Sequence, residues 1–142
     1  MPTRSGSARY EGLGKDGKGW VSTQSGVLKD QQYGFNTRFE DGPGTNPEEL
    51  IAAAHASCFT MALSFALAGA GYHDGTLETS AKVTIDKDGD GFTITSSKLD
   101  LDAKVPGIAA DEFEKIANEA KAGCPVSKLM TAEVTLTHRL SA

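Results

Sequence analysis

The 142-residue sequence lacks an excess of basic charge: 14 Lys and Arg stand against 19 Asp and Glu, a formal net charge of -5. Nucleic-acid binding depends on clustered Lys and Arg that neutralise phosphates, so no nucleic acid is expected as a partner. The segment Met1–Arg9 is polar and has no apolar stretch ahead of a cleavage site, so it does not read as a secretory signal and the cytosol is the expected compartment. One apolar run, Leu50–Ala68, is long enough to raise the question of a membrane. It is alanine-rich, broken by His55, Ser57, Thr60 and Ser64, and follows two glutamates, so no membrane partner is expected. Internal repeats, low-complexity tracts and linker-length Gly/Pro stretches are missing too, and residues 1–142 read as a single domain. Cysteine is scarce. Two in a reducing compartment are free thiols by default, and a disulfide between them would be transient or catalytic. No Gly-rich nucleotide loop follows a strand, and neither a GxSxG elbow nor an HExxH motif is present, so thiol chemistry is what remains.

What is present suits a globular domain. The hydrophobic fraction is 39% and the charged fraction 23%, and a chain of this size buries roughly two thirds of its unfolded surface. Strands are expected at Ser7–Glu11, Gly19–Ser25 and Tyr33–Phe39. Asn46-Pro47-Glu48-Glu49 then reads as a helix start, with Asn46 as N-cap, Pro47 at the first helical position and Glu49 closing a capping box. This helix should run to about Ala70. Its apolar residues, among them Leu50, Phe59, Met61, Leu63 and Phe65, fall on several faces, which predicts a central helix buried nearly all round. Leu77–Asp86 and Phe92–Val105 alternate as a hairpin. Ala109–Ala122 is an amphipathic helix with Phe113, Ile116 and Ala120 on one face and Gly123 as its cap, followed by a short helix Pro125–Met130 and a closing strand Glu133–Leu140. The expected class is α+β, with an antiparallel sheet packed on the central helix.

Each residue able to do chemistry also has a plainer reading. Cys58, mid-helix, could be a small packed hydrophobe, although Ala54, His55 and Ser57 keep space beside it. Cys124 lies between Gly123 and Pro125 as the candidate N-cap of a short helix, a place that favours a thiolate, or else it is a half-buried turn residue. Position alone thus makes Cys124 the more acidic thiol, and Cys58 would need an outside cation, for which Arg38 is the best supplier. Arg38, among Tyr33, Phe35 and Phe39, could equally snorkel over the surface. With Glu49 engaged in the capping box, Glu48 is free to orient Arg38, or merely complements the helix dipole. Ten helical residues separate Glu48 from Cys58 by about 15 Å along the axis, so the two would hardly meet within one chain. His55 and Cys58 are helix neighbours, a spacing that suits a thiolate-imidazolium pair or two metal ligands. No further ligand cluster supports a metal, and none is expected. His73 and His138 read as solvated surface histidines.

The segments Gly17–Gly19, Val21–Leu28, Tyr33–Phe39, Gly44–Leu50, Ala53–Phe59 and Ala120–Ser127 together resemble the OsmC/Ohr family of osmotically inducible and organic hydroperoxide resistance proteins, the OsmC branch above all. The resemblance spans nearly the whole chain and places both cysteines in their expected contexts. It implies an OsmC-like fold in an intertwined homodimer with active sites at the subunit interface. It implies a cysteine peroxidase of oxidative and osmotic stress defence that reduces organic hydroperoxides, and hydrogen peroxide more weakly, without a bound cofactor. Cys58 would be the peroxidatic thiolate that becomes a sulfenic acid, and Cys124 the resolving thiol that condenses with it. Arg38 would stabilise the thiolate, Glu48 would orient Arg38, and an external dithiol of lipoyl type would reduce the disulfide. Two competing readings are a noncatalytic dimeric binding protein with packed cysteines, and a Cys-His hydrolase using Cys58 and His55, for which no orienting partner of the histidine is recognisable.

Overall fold

The computed structural model describes residues 1–141. The chain divides into two compact units, Met1–Leu50 and the residues from Ile51 onward.

In the first unit, strands β1 (Gly6–Glu11), β2 (Lys18–Thr23) and β3 (Gln31–Tyr33) form an antiparallel sheet in that order. Gly19 pairs with Tyr10 on one side and Tyr33 on the other. A Cβ at Gly19 would lie 2.6 Å from the Tyr33 ring and 2.9 Å from that of Tyr10, so glycine is what lets the two rings meet edge to face at 6.2 Å. The strand expected over Tyr33–Phe39 ends at Tyr33 and gives way to a short helix, α1 (Phe35–Phe39). The buried Thr37 hydroxyl explains the change: it accepts the Gly34 N–H at 2.8 Å and donates to the Gly34 carbonyl at 3.0 Å. Such local bonds compete with a strand ladder. The turn sets Phe35 and Phe39 ring against ring, 5.2 Å apart.

Helix α2 (Pro47–Gly69) starts where the sequence places it. Asn46 Oδ1 accepts the Glu49 N–H at 2.7 Å, while Asn46 Nδ2 donates to the Thr37 carbonyl at 2.9 Å and ties the helix start to α1. The reciprocal half of the capping box is not formed, because the Glu49 carboxylate instead accepts the Thr45 hydroxyl at 2.8 Å.

In the second unit the rest of α2 packs on a sheet made of β4 (Thr76–Asp88), β5 (Gly91–Lys104) and β6 (Glu133–Ser141). β4 and β5 form the expected hairpin, but β6 runs parallel to β5, so this sheet is mixed rather than wholly antiparallel. A parallel partner needs a crossover, and α3 (Ala110–Gly123) and α4 (Pro125–Leu129) supply it. The α+β class stands.

The core joins Phe59, Leu63 and Leu67 of α2 with Leu99, Leu101 and Ala103 of β5 and with Phe113, Ala117 and Ala120 of α3. Each fully buried Leu or Phe contributes about 1.5–3 kcal/mol. From Ile51 onward only one stripe of α2, His55, Phe59, Leu63 and Leu67, is buried; Met61 is 61% and Phe65 73% exposed. The expectation of a helix buried nearly all round is therefore not met by the single chain, because the sheet covers one side only. By length and composition α2 could cross a membrane, yet its buried stripe belongs to the core. Gly123 proves to be the last helical residue of α3 rather than a left-handed cap. Cys124, with φ -59 and ψ 124, ends the helix because a residue before proline is pushed to extended backbone.

Candidate active site

Four residues singled out in the sequence form two pairs, one in each unit. In the first unit Arg38 Nε and Nη2 donate to Glu48 Oε1 and Oε2, both at 3.0 Å, a bidentate fork. The Glu48 side chain is 9% exposed and that of Arg38 37%. α1 presents Arg38 and the first turn of α2 presents Glu48, while the Arg38 carbon sits 5.4 Å from the Phe39 ring centroid. Arg38 therefore does not snorkel freely; it is stacked and ion-paired. Arg38 lines a cavity of about 380 Å³ that Tyr10, Tyr33, Phe35, Phe39 and Pro47 make mainly apolar.

In the second unit Cys58 of α2 and Cys124 at the α3–α4 junction are free thiols, near enough for each to act on the other's acidity. Cys124 is fully buried and Cys58 half-buried. Burial, and then the Cys124 sulfur beside it, push the Cys58 thiol up from its ordinary range. Burial works the same way on Cys124 but is outweighed: the Cys58 S–H, the Ser127 N–H and hydroxyl and the Val126 N–H all favour its thiolate, and its pKa falls. No side-chain capping hydrogen bond forms at Cys124, so the start of α4 acts on the sulfur through its dipole rather than through a cap bond. Both directions run the way that sequence position suggests, toward the more acidic Cys124.

His55 is not paired with Cys58. Its ring is fully buried, with Nδ1 2.6 Å from the Ser97 hydroxyl and Nε2 2.8 Å from that of Ser127. Burial lowers its pKa, so the ring is neutral. With both nitrogens occupied, a thiolate-imidazolium pair with Cys58 is not formed. Among the described residues no group of three or more His, Cys, Asp or Glu is placed to hold a metal. His73 is exposed as expected, whereas His138 is half-buried and packs edge-on against Phe113 at 5.6 Å. Sequence reading missed the serine partners of His55. A signal was available for Ser97, which occupies the inward row of β5 otherwise filled by Leu99, Leu101 and Ala103.

An α+β chain that sets two free cysteines beside each other, one at a helix start and the other packed against the core, has the dithiol site of a redox protein. The OsmC-like protein family model matches residues 40–139. The chain is 55% identical to the peroxiredoxin OsmC of Escherichia coli (strain K12) over 137 residues, 96% of each chain. It is 37% identical to organic hydroperoxide resistance protein-like 1 of Staphylococcus epidermidis over 89 residues, 62% of this chain and 63% of that one. Among solved structures it resembles the organic hydroperoxide resistance protein OhrB of Bacillus subtilis, with TM-score 0.69, 27% identity and 98% of both chains covered. An OsmC-like protein of Vibrio cholerae, 16% identical, shares the fold with TM-score 0.77 over 98% of this chain and 100% of that one. The chain belongs to the OsmC family.

Proposed function

We propose that this cysteine-based peroxidase reduces organic hydroperoxides, and hydrogen peroxide more weakly, through a Cys58 sulfenic acid and a Cys58–Cys124 disulfide. The observation that carries the reading is the pair of free thiols that neighbour and influence each other inside the second unit. In the first step Cys58 gives up its proton and its sulfur attacks the terminal peroxide oxygen. The O–O bond breaks, and the alkoxide takes a proton and leaves as the alcohol. Cys124, as thiolate, then attacks the sulfenic sulfur; the S–O bond breaks and the hydroxide leaves as water after protonation. An external dithiol of lipoyl type reduces the disulfide by exchange.

Cys58 is the less acidic thiol within its own unit, so the first step needs a cation. Arg38, held in a fixed fork by Glu48, fits that role and keeps one nitrogen for a peroxide oxygen. We assign this pair to the Cys58 of a second copy of the chain, in a homodimer. Two observations support the assignment. α2 is unbroken from Pro47 to Gly69, which separates Glu48 from Cys58 of the same chain by about 15 Å of helical rise. The apolar Met61 and Phe65 also stand uncovered on the same helix. The apolar cavity beside Arg38 suits a hydrophobic peroxide tail better than a small polar oxidant. The protein is read as a soluble cytosolic enzyme of oxidative and osmotic stress defence, organised as one domain.

The test is turnover of cumene hydroperoxide against hydrogen peroxide, with a dihydrolipoyl donor and a thioredoxin system in parallel. The expected result is preference for the organic peroxide with the dihydrolipoyl donor. No turnover with either peroxide would end the reading.

A further inference from the structure

The mainly apolar cavity of the first unit is lined by two cations, and one of them is already neutralised: Glu48 holds the Arg38 guanidinium in a two-bond fork. The other is Lys15. It belongs to a single 3-10 turn, Gly14–Asp16, between β1 and β2. The turn is fixed from two sides, since the Gly14 carbonyl accepts the Tyr10 hydroxyl at 2.9 Å and the Gly17 N–H at 3.2 Å. From it the Lys15 ammonium comes to 5.1 Å from the centroid of the Phe35 ring, within the range of a cation–π contact. Among the described residues no carboxylate pairs with it. Asp16 and Glu40 line a neighbouring recess together with Lys15, but neither forms an ion pair with it.

An ammonium is strongly hydrated, and an exposed lysine ordinarily extends it into water. Here it lies over the aromatic wall of a cavity instead. The contacts form a row: Lys15 over Phe35, Phe35 against Phe39 at 5.2 Å, and Phe39 beneath Arg38 at 5.4 Å. The row has an apolar middle and a cation at each end, one paired and one without a countercharge. A ligand complementary to all of it has an apolar body for the two rings and a negative group for Lys15. The reacting end of a hydroperoxide is neutral at physiological pH, so the negative charge has to come from a second group at the far end of its organic part.

We propose that Lys15 is a specificity-determining residue that receives a carboxylate carried at the far end of the organic hydroperoxide, while the peroxide end lies at Arg38. The proposal rests on the reading of Arg38 as the residue that meets the peroxide oxygen. The contact is remote from the O–O bond, so it strengthens binding of substrate and transition state alike and shows in KM rather than in kcat.

The test compares cumene hydroperoxides that carry a para carboxylate, attached directly or through a short alkyl chain, with the methyl ester of each. The unsubstituted protein should favour at least one acid over its ester by about fivefold in kcat/KM, the yield of a single exposed ion pair, with the difference in KM. Lys15→Met should bring the acid-to-ester ratio to about one and Lys15→Glu should invert it, whereas Lys15→Arg should keep it. Added salt should lessen the preference of the unsubstituted protein. Because the ratio compares two substrates of one protein, a general loss of activity in a variant cancels. A readout without chemistry is NMR titration with 4-isopropylbenzoate, which should shift the Phe35 ring signals and bind about fivefold more weakly to Lys15→Met. A ratio near one for both acids in the unsubstituted protein, or a preference that Lys15→Met leaves in place, overturns the proposal. No turnover of any peroxide would instead remove the peroxidase reading, while the benzoate titration still decides whether Lys15 takes the carboxylate, equal affinity of the two proteins being the result against it.

Discussion

The two halves of the proposed site are built by opposite physical means. In the first unit a charged pair does the work: Arg38 and Glu48 are joined by two 3.0 Å bonds, with the carboxylate buried and the guanidinium partly open beside an apolar cavity. In the second unit no formal countercharge is described at the thiols; neutral donors at the start of α4, a serine and the other thiol lower Cys124 while burial raises Cys58. A charge can be delivered across a subunit boundary to whatever sulfur approaches it, whereas short-range hydrogen bonds serve only the sulfur built beside them. On the proposed assignment, Cys124 would be activated by its own chain and Cys58 by assembly.

The largest effect expected is that of Cys58→Ser, which should lower peroxide turnover on the order of a thousandfold or more, because a hydroxyl is a far poorer nucleophile at neutral pH. Turnover near the unsubstituted rate would move the chemistry to Cys124. Mixing then separates charge from thiol. Cys58→Ser and Glu48→Ala chains, each inactive alone, should regain activity when refolded together, because a mixed dimer contains one site with both groups intact. Mixed dimers confirmed by mass spectrometry that stay inactive would place both groups in one chain's site.

Arg38→Lys should cost about ten- to a hundredfold in turnover although the charge is kept, since an ammonium cannot reproduce the planar two-bond fork to Glu48. Its signature is selective: the alkylation profile of Cys58 should move to higher pH while that of Cys124 stays in place. Equal movement of both thiols would break the division between assembly and self-activation. Cys124→Ser should still consume about one equivalent of peroxide per chain and accumulate oxygen on Cys58, because sulfenic acid formation does not need the resolving thiol. The smallest effect concerns only the frame of the charged half. Asn46→Ala should destabilise the protein by about 1 kcal/mol, a typical loss for a helix N-cap, and a denaturant midpoint that does not move would mean that the Asn46 bonds to Glu49 and Thr37 are dispensable.

Local chemistry was legible in the sequence where one residue type has one backbone consequence. Asn46-Pro47 started α2, and Pro125 ended α3 at Cys124 and opened α4, so the more acidic thiol could be named from position alone. The two cysteines, the arginine and the glutamate could be singled out because few alternatives exist in a chain with so little other chemistry. Residues with competing local options were misread. Tyr33–Phe39 has the aromatic pattern of a strand, but the hydroxyl of Thr37 closes on Gly34 and coils the chain, which puts Arg38 and Phe39 on a helical turn.

What only the tertiary structure decided are pairings across long separations. Ser97 meets His55 over 42 residues and Ser127 meets it over 72. Ser97 is marked only by its place in the inward row of β5, and nothing local distinguishes Ser127 from a surface serine. The parallel seat of β6 and the open face of α2 are of the same kind, since both depend on which side of an element is already occupied when its neighbours pack. By itself the sequence determined where helices start and stop and which side chains could react. Which hydroxyls face the buried imidazole of His55 was decided by the packing of α2 on the sheet, because burial turns a polar side chain without a partner into a cost that only a distant residue can remove.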